Sequence, residues 1–142
     1  NATRQKVAER LADKVKFGTA IHATSYISKR AGVGEGTVVM GGVTVNPDVK
    51  IGKHCIINTN CSIDHDCVIG DYAHISPNAT LSGDVHVGEG THIGSGASVI
   101  QGIRIGKWCT VGAGAVIIND IPDFATAVGN PARIIKVKED QQ

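Results

Sequence analysis

A six-residue period runs through most of the chain and constrains its fold more than any other feature. From Ile21 onward, every sixth position is a branched aliphatic residue, and the series continues without insertion to Ile117. The 102 residues from 21 to 122 therefore hold 17 hexads. A period of six fits neither a helix nor the two-residue alternation of a long strand. It indicates a short strand followed by a corner, repeated many times.

Two further hexad positions have a narrow composition. The fourth residue after the aliphatic is mostly small, as at Ala73, Ala79 and Ala97, and glycine often follows the aliphatic directly. We interpret these glycines as corner residues with unusual backbone angles. Only 4% of the residues are aromatic, so the core must be narrow and built from stacked small and β-branched side chains. The repeat predicts an all-β protein, a parallel β-helix over residues 21–122.

The two ends depart from the repeat. Asn1 to Phe17 predicts a short amphipathic helix in which Val7, Leu11 and Val15 share one face. Pro122 interrupts the hexads, and a solenoid needs covered ends. We therefore predict three parts, which are an N-terminal helix over 1–20, the β-helix over 21–122 and a C-terminal cap over 123–142.

Charge and composition argue against several classes of partner. The formal net charge is only +1, which gives no strong field for nucleic acid or an anionic membrane. The sequence has no apolar run near the length of a membrane span. Four cysteines in 142 residues do not suggest a disulfide framework. The expectation is a cytoplasmic protein with neither kind of partner.

A more specific motif lies in the middle of the repeat. The run Asp64-His65-Asp66-Cys67 is followed by His74-Ile75-Ser76-Pro77, and the tail contains GNPARII. These segments resemble a family of bacterial sugar acetyltransferases. The family includes N-acetyltransferases of UDP-4-amino-sugars, a perosamine relative and sialic acid O-acetyltransferases, and the resemblance covers essentially the whole chain.

The resemblance implies several further properties. The β-helix should be left-handed with three hexads, or eighteen residues, in each coil. Acetyl-CoA should be the co-substrate, without a metal, and the protein should form a homotrimer with its sites in the clefts between adjacent prisms. Family members also carry an N-terminal nucleotide-binding α/β domain. Residues 1–20 are therefore expected to be the remnant of the last helix of that domain.

His65 and Asp66 are the candidate catalytic residues. Imidazole is a natural general base near neutral pH, and a neighbouring carboxylate can orient it and stabilise the imidazolium. In the family, the matching histidine accepts the proton and the acid after it raises its basicity. The alternative for His65 is a solvated surface histidine. For Asp64, local turn chemistry is the favoured interpretation.

Residues eighteen apart should stack, which places Gly83 one coil above His65. A bare backbone at Gly83 leaves room for a substrate beside the imidazole, and its amide could donate to an oxyanion. The alternative, an ordinary corner glycine, stays open. His74 and His92 should also stack, and we interpret His92 as a surface residue.

A column of compact residues, Pro77, Ser95 and Ala113, could accommodate an extended pantetheine arm. The family's CoA contacts correspond to His74, Ser95 and Ala113, so the resemblance implies that these residues bind acetyl-CoA. The stacking of Gly83 above His65 adds Gly83 to the expected acetyl-CoA site.

Metal chemistry is not expected. Cys55, Cys61 and Cys67 occupy inward hexad positions, and small buried thiols are the better interpretation than metal ligands. Hexad-built carbonic anhydrases bind zinc through histidines that include a pair five residues apart, and no two of the six histidines here have that spacing.

The favoured function is transfer of acetyl from acetyl-CoA to the amino group of a nucleotide-linked 4-amino-sugar, by direct attack with His65 as general base. One alternative is O-acetylation of sialic acid. Another is a non-catalytic solenoid, either a scaffold or a surface binder such as an ice-binding protein. Long flat columns of threonine would favour the surface binder, whereas the outward columns are interpreted as mixtures of His, Asp, Gly, Lys and Pro.

Overall fold

Each hexad forms one two-residue strand and one four-residue corner in this computed structural model, which describes residues 1–139. Seventeen such strands, three in each coil, build five complete coils and two sides of a sixth. The predicted fold class, an all-β parallel helix of hexapeptide repeats, is confirmed.

Strands one coil apart pair in parallel and form three sheets. Sheet A contains β1 (Ala20–Ile21), β4 (Val38–Val39), β7 (Ile56–Ile57), β10 (His74–Ile75), β13 (His92–Ile93) and β16 (Thr110–Val111). Sheet B contains β2 (Tyr26–Ile27), β5 (Thr44–Val45), β8 (Ser62–Ile63), β11 (Thr80–Leu81), β14 (Ser98–Val99) and β17 (Val116–Ile117). Sheet C contains β3 (Gly32–Val33), β6 (Lys50–Ile51), β9 (Val68–Ile69), β12 (His86–Val87) and β15 (Arg104–Ile105).

Three corners join the sheets, and each is named here by the two sheets that it connects. The AB corner contains residues 22–25, 40–43, 58–61, 76–79, 94–97 and 112–115. The BC corner contains residues 28–31, 46–49, 64–67, 82–85 and 100–103. The CA corner contains residues 34–37, 52–55, 70–73, 88–91 and 106–109.

The core is a single stack of aliphatic side chains along the prism axis. Every aliphatic position predicted from the period is the second residue of a strand, and from Val39 onward all of them are buried. Burial of such a side chain stabilises the fold by about 1.5–3 kcal/mol. Ile21 in the first coil is 51% exposed because it has a neighbouring coil on only one side.

The corners use glycine for two separate reasons. The third residue after the aliphatic has left-handed backbone angles in successive hexads, as in Asp66 (φ 61°) and Gly90 (φ 66°). The glycines directly after the aliphatic do not have such angles, so the interpretation of them as angle-determining residues was wrong. A Cβ on Gly88 would lie 2.5 Å from the carbonyl carbon of Gly106. Adjacent coils therefore approach too closely there for any side chain.

The N-terminal helix is shorter than predicted. Helix α1 (Ala2–Leu11) ends before Val15, and Val7 and Val15 are both exposed while Ala8 is buried. The expected apolar face is therefore wrong. Polar side chains hold the helix instead, since Arg4 donates from Nε to the His54 carbonyl at 2.8 Å and from Nη2 to the Tyr72 carbonyl at 2.6 Å. These bonds place α1 along the CA corner.

The C-terminal segment continues sheet A. Strand β18 (Ala125–Gly129) pairs in parallel with β16, and β19 (Ala132–Val137) pairs antiparallel with β18. Residues 140–142 of the predicted cap lie outside the described residues. Over residues 1–139, no helix has both the length and the apolar character needed to cross a membrane.

Candidate functional site

His65 and Asp66 form a bonded pair on the BC corner. His65 Nδ1 lies 2.9 Å from Asp66 Oδ2, and both side chains are about 60% exposed. The hydrogen bond that His65 donates to the Asp66 carboxylate raises the pKa of His65 above its ordinary value, and the nearby charge of Asp64 raises it further. With Nδ1–H donating to the carboxylate, Nε2 carries the lone pair and can accept a proton from a substrate.

Gly83 lies one coil above His65, as the eighteen-residue coil predicts. The Asp84 amide donates to the His65 carbonyl at 2.9 Å, which fixes the register of the two coils. A Cβ on Gly83 would lie 2.7 Å from both Cε1 and Nε2 of His65. The space beneath Gly83 is thus occupied by the imidazole itself, rather than being left for a substrate.

Asp64 makes a hydrogen bond to another coil in addition to the bond expected within a local turn. Its Oδ1 accepts the His65 amide at 2.8 Å and also accepts Nδ2 of Asn46, one coil below, at 2.8 Å. These bonds hold the pKa of the Asp64 carboxyl below its usual range, the Asn46 bond first. Sequence reasoning missed Asn46, although its eighteen-residue separation from Asp64 was a usable signal.

His74 and His92 stack on sheet A with ring centroids 4.8 Å apart. Asn58 Nδ2 donates to His74 Nε2 at 3.2 Å, and His92 Nε2 shares a hydrogen bond of 2.7 Å with the hydroxyl of the buried Ser76. Partial burial, followed by the charge of His92, lowers the pKa of His74 to about 4. His92 lies on the outer face of sheet A, as expected of a surface residue, but its ring is only partly exposed and is bonded to Ser76.

Ser95 and Ala113 lie in one exposed column of the AB corner with Pro77. The Gly96 amide donates to the Pro77 carbonyl at 2.9 Å, and the Gly114 amide donates to the Ser95 carbonyl at 2.8 Å. Ser95 and Ala113 are both exposed. The column is a smooth strip of short side chains parallel to the prism axis.

The candidate residues therefore fall into two groups within one chain. His65, Asp66 and Gly83 are on the BC corner, whereas Ser95 and Ala113 are on the AB corner and His74 is on sheet A. Sheet B separates the two corners.

Sheet B has six outward positions, with Tyr26 at one end and Val116 at the other, and the four between them carry short hydroxyl side chains, which the expected mixture of His, Asp, Gly, Lys and Pro did not include. These four residues are Thr44, Ser62, Thr80 and Ser98.

The cysteines are buried thiols, as predicted. Cys67 is fully buried, its Sγ donates to the Ser82 carbonyl at 3.1 Å, and burial raises its pKa to about 11. Among residues 1–139, no group of three or more His, Cys, Asp and Glu side chains could hold a metal ion.

Comparison with known protein families identifies the family to which this repeat belongs. The family described as bacterial transferase hexapeptide (six repeats) matches residues 48–83 and 84–119, which together are just over half of the 142 residues. The chain belongs to the hexapeptide transferase family. No significant match to this hexapeptide transferase was found among curated proteins.

Several solved structures are similar to this hexapeptide transferase. PerB from Caulobacter crescentus, in complex with CoA and GDP-perosamine, is 42% identical with a TM-score of 0.94, and the match covers 96% of this chain and 66% of that chain. The acetyltransferase domain of PglB from Neisseria gonorrhoeae is 40% identical with a TM-score of 0.92, covering 94% and 66%. WeeI from Acinetobacter baumannii is 34% identical with a TM-score of 0.91, covering 94% and 66%. This chain thus spans slightly less than two thirds of each relative.

Proposed function

We propose that this protein transfers the acetyl group of acetyl-CoA to the amino group of a nucleotide-linked 4-amino-sugar. The observation that carries the proposal is the His65–Asp66 pair, with Nδ1 bonded to a carboxylate at 2.9 Å. The relatives support it, because PerB was solved with CoA and GDP-perosamine and the PglB domain with acetyl coenzyme A.

The proposed reaction is a direct attack in a ternary complex. The acceptor nitrogen attacks the thioester carbonyl carbon, and His65 Nε2 takes the proton that the nitrogen loses. The carbon–sulfur bond then breaks, and the CoA thiolate leaves and receives the proton from the imidazolium. Asp66 stabilises the positive charge on the ring while the proton resides there.

A covalent acetyl-cysteine intermediate is disfavoured by the position of Cys67. A nucleophilic thiol needs exposure and a lowered pKa, whereas Cys67 is buried with a raised pKa. Cys67→Ala should therefore keep most of the activity, apart from a packing penalty. Trapping of an acetyl-thioester at Cys67 would contradict the direct mechanism.

Acetyl-CoA is proposed to lie along the prism axis beside His74, Ser95 and Ala113 of one copy of the chain and Gly83 of an adjacent copy. The short side chains of the AB column allow close approach of a pantetheine arm, and their stacked backbones offer hydrogen-bonding groups to it. The neutral His74, with its pKa lowered to about 4, adds no charge to the groove at neutral pH.

The decisive assay compares acceptors. We expect the wild-type protein to acetylate a nucleotide-linked 4-amino-sugar. His65→Ala should lower turnover by a factor of about 10² to 10⁴ and leave the affinity for CoA unchanged. Sialic acid is the competing acceptor, and its preferential O-acetylation would replace the amine assignment. Wild-type turnover in His65→Ala would refute the base assignment.

A homotrimer is proposed to complete the site. Helix α1 occupies the CA corner through Arg4, which leaves the AB and BC corners on either side of sheet B. On a three-fold axis each side chain faces its own copies, so charged side chains would repel one another. The outward column of sheet B is uncharged, whereas that of sheet C contains Lys50 and Arg104. Sheet B facing the axis would bring the AB corner of one copy to the BC corner of the next.

Mixing of inactive variants tests this assembly. His65→Ala removes the base from one corner, and Ser95→Trp blocks the groove at the other. If each site combines corners from two copies, co-refolded mixtures should recover about a quarter of wild-type activity, because each mixed trimer regains one intact site. A double variant refolded alone is the control and should stay inactive. No recovery in verified mixed trimers, or a stable monomer in sedimentation, would contradict the proposal.

A cytoplasmic location is proposed from the state of the cysteines. The described chain has four free thiols, the state that a reducing compartment preserves. Cell fractionation with a periplasmic marker as reference tests the location.

A further inference from the structure

The BC corner contains a second carboxylate beside the proposed base. We propose that Asp64, fixed by Asn46, is a positioning residue for His65, which it serves by holding the backbone of the base and keeping a negative charge beside its ring. The inference rests on the proposed function, in which the imidazole becomes positively charged during proton transfer.

The contacts form a continuous chain across two coils. Asn46 Nδ2 donates to Asp64 Oδ1 at 2.8 Å, and the same oxygen accepts the His65 amide at 2.8 Å. Asn46 is thus one coil and eighteen residues away from the carboxylate that it fixes. His65 is held at its backbone by Asp64 and at its Nδ1 by Asp66.

Asp48 and Asp84, two other acidic residues of this corner, each have an arginine as partner. Arg30 pairs with Asp48 on the coil below. Arg104 donates from Nη2 to both carboxylate oxygens of Asp84 on the coil above, at 3.3 and 3.2 Å, and His86 lies 3.4 Å from the same carboxylate.

Asp64 differs from them in the charge of its partners. Within residues 1–139 its side-chain hydrogen bonds come from a neutral amide and a backbone N–H. A neutral donor fixes the geometry of a carboxylate without cancelling its charge. The field of Asp64 therefore remains available to the imidazole of His65.

The electrostatics agree with this arrangement. The bonds from Asn46 and the His65 amide lower the pKa of Asp64, so the carboxylate stays ionised at neutral pH. The pKa of His65 is raised first by the hydrogen bond of Asp66 and next by the charge of Asp64, with Asp84 contributing least. A more basic imidazole binds the transferred proton more strongly, which favours the attack step.

The test separates charge from hydrogen bonding. Asp64→Asn keeps an oxygen acceptor for the His65 amide and removes the charge, whereas Asn46→Lys keeps the carboxylate and supplies a neutralising cation. Both variants should lower the pKa of His65, which NMR titration of its imidazole protons measures. Both should also reduce kcat roughly tenfold, while KM for acetyl-CoA changes little.

Asp71→Asn is the matched control. Asp71 Oδ1 accepts the backbone amide of Lys53 at 2.8 Å on the CA corner. Asp71→Asn therefore removes a carboxylate that accepts a backbone N–H, as Asp64→Asn does, but at a site away from His65. Its His65 titration and kcat should equal those of wild type.

An unchanged His65 titration and an unchanged pH profile of kcat in both Asp64→Asn and Asn46→Lys would overturn the proposal and leave Asp64 with a structural role. The NMR titration needs no acetyl transfer. If the proposed function fails, wild type will lack activity while the titration shift persists, so the two failures are distinguishable.

Discussion

Gly83 lies against the imidazole of His65 so closely that a Cβ at position 83 would be 2.7 Å from Nε2, the nitrogen proposed to take the proton. The backbone of one coil thereby limits where the base of the coil below can point. The two residues are eighteen positions apart in the sequence, and their relation follows from the repeat.

Gly83→Ala should displace the imidazole and lower kcat by about 10- to 100-fold, because misplacement of a catalytic group by about 1 Å can cost that much. The backbone of Gly83 is not left-handed, so thermal unfolding should change little. Gly32→Ala is the matched control, since a Cβ there meets no atom within 4 Å. Full activity in Gly83→Ala would show that the close contact has no role in orienting the base.

The pH dependence of turnover should follow His65. The base works in its neutral form, and its pKa is raised by Asp66, so kcat should rise with pH through a midpoint above about 6.5, the ordinary histidine value. Asp66→Asn should move that midpoint to lower pH and reduce the plateau. A pH–rate profile with the same midpoint in both proteins would exclude Asp66 as the partner of the base.

Ser95→Trp should weaken CoA binding by at least about tenfold, because the indole would fill the narrow column between Pro77 and Ala113. Isothermal titration with CoA measures the change. Thr19→Trp, an exposed position at the N-terminal end of the prism, is the control and should bind like wild type. Equal affinity in the two variants would move the pantetheine arm away from the AB corner.

Acid should destabilise the fold through His74. Its pKa is lowered to about 4 in the folded protein against about 6.5 in an unfolded chain, so the unfolded state binds more protons between these values. Stability is therefore lost as pH falls from about 6.5 to 4, by about 1–2 kcal/mol after allowance for solvent screening. His74→Phe should keep the stacking with His92 and reduce this loss in urea unfolding at the two pH values. The same loss in wild type and His74→Phe would assign it to other groups.

Gly88→Ala should destabilise the protein far more than Gly32→Ala. A Cβ on Gly88 would lie 2.5 Å from the backbone of Gly106 and Lys107, and a fixed backbone cannot move aside as a side chain can. We expect a loss of about 2–3 kcal/mol or more in the free energy of unfolding. Equal unfolding midpoints for the two variants would show that the coils can separate locally.

The period predicted the inward aliphatic stack. The eighteen-residue coil came from the family resemblance, and the Gly83–His65 register follows from it by arithmetic. The roles of the glycines could not be predicted in the same way. Left-handed angles and close approach both favour glycine, and only the distance between Gly88 and Gly106 separates the two causes.

The environment of His92 and the contacts that anchor α1 also could not be predicted from the sequence. An outward strand position predicts exposure, yet His92 is covered by the ring of His74 and bonded to Ser76. Helical periodicity favoured apolar packing, whereas Arg4 reaches carbonyl groups far away in the sequence. Such long-range polar contacts depend on which coil the helix meets, and no local pattern encodes that.

The strand register has a consequence for how such a chain can change in length. The parallel partners among β1 to β17 are offset by eighteen residues in all three sheets, as His74 and His92 are. A single inserted residue would turn every later aliphatic out of the core and misalign all three corners above it. Duplication or loss of a whole coil would preserve both. Unless the added residues loop out at a corner, insertions and deletions preserve the stack and the sheets only in multiples of eighteen, and a coil added above residue 115 would lengthen the groove without disturbing the base.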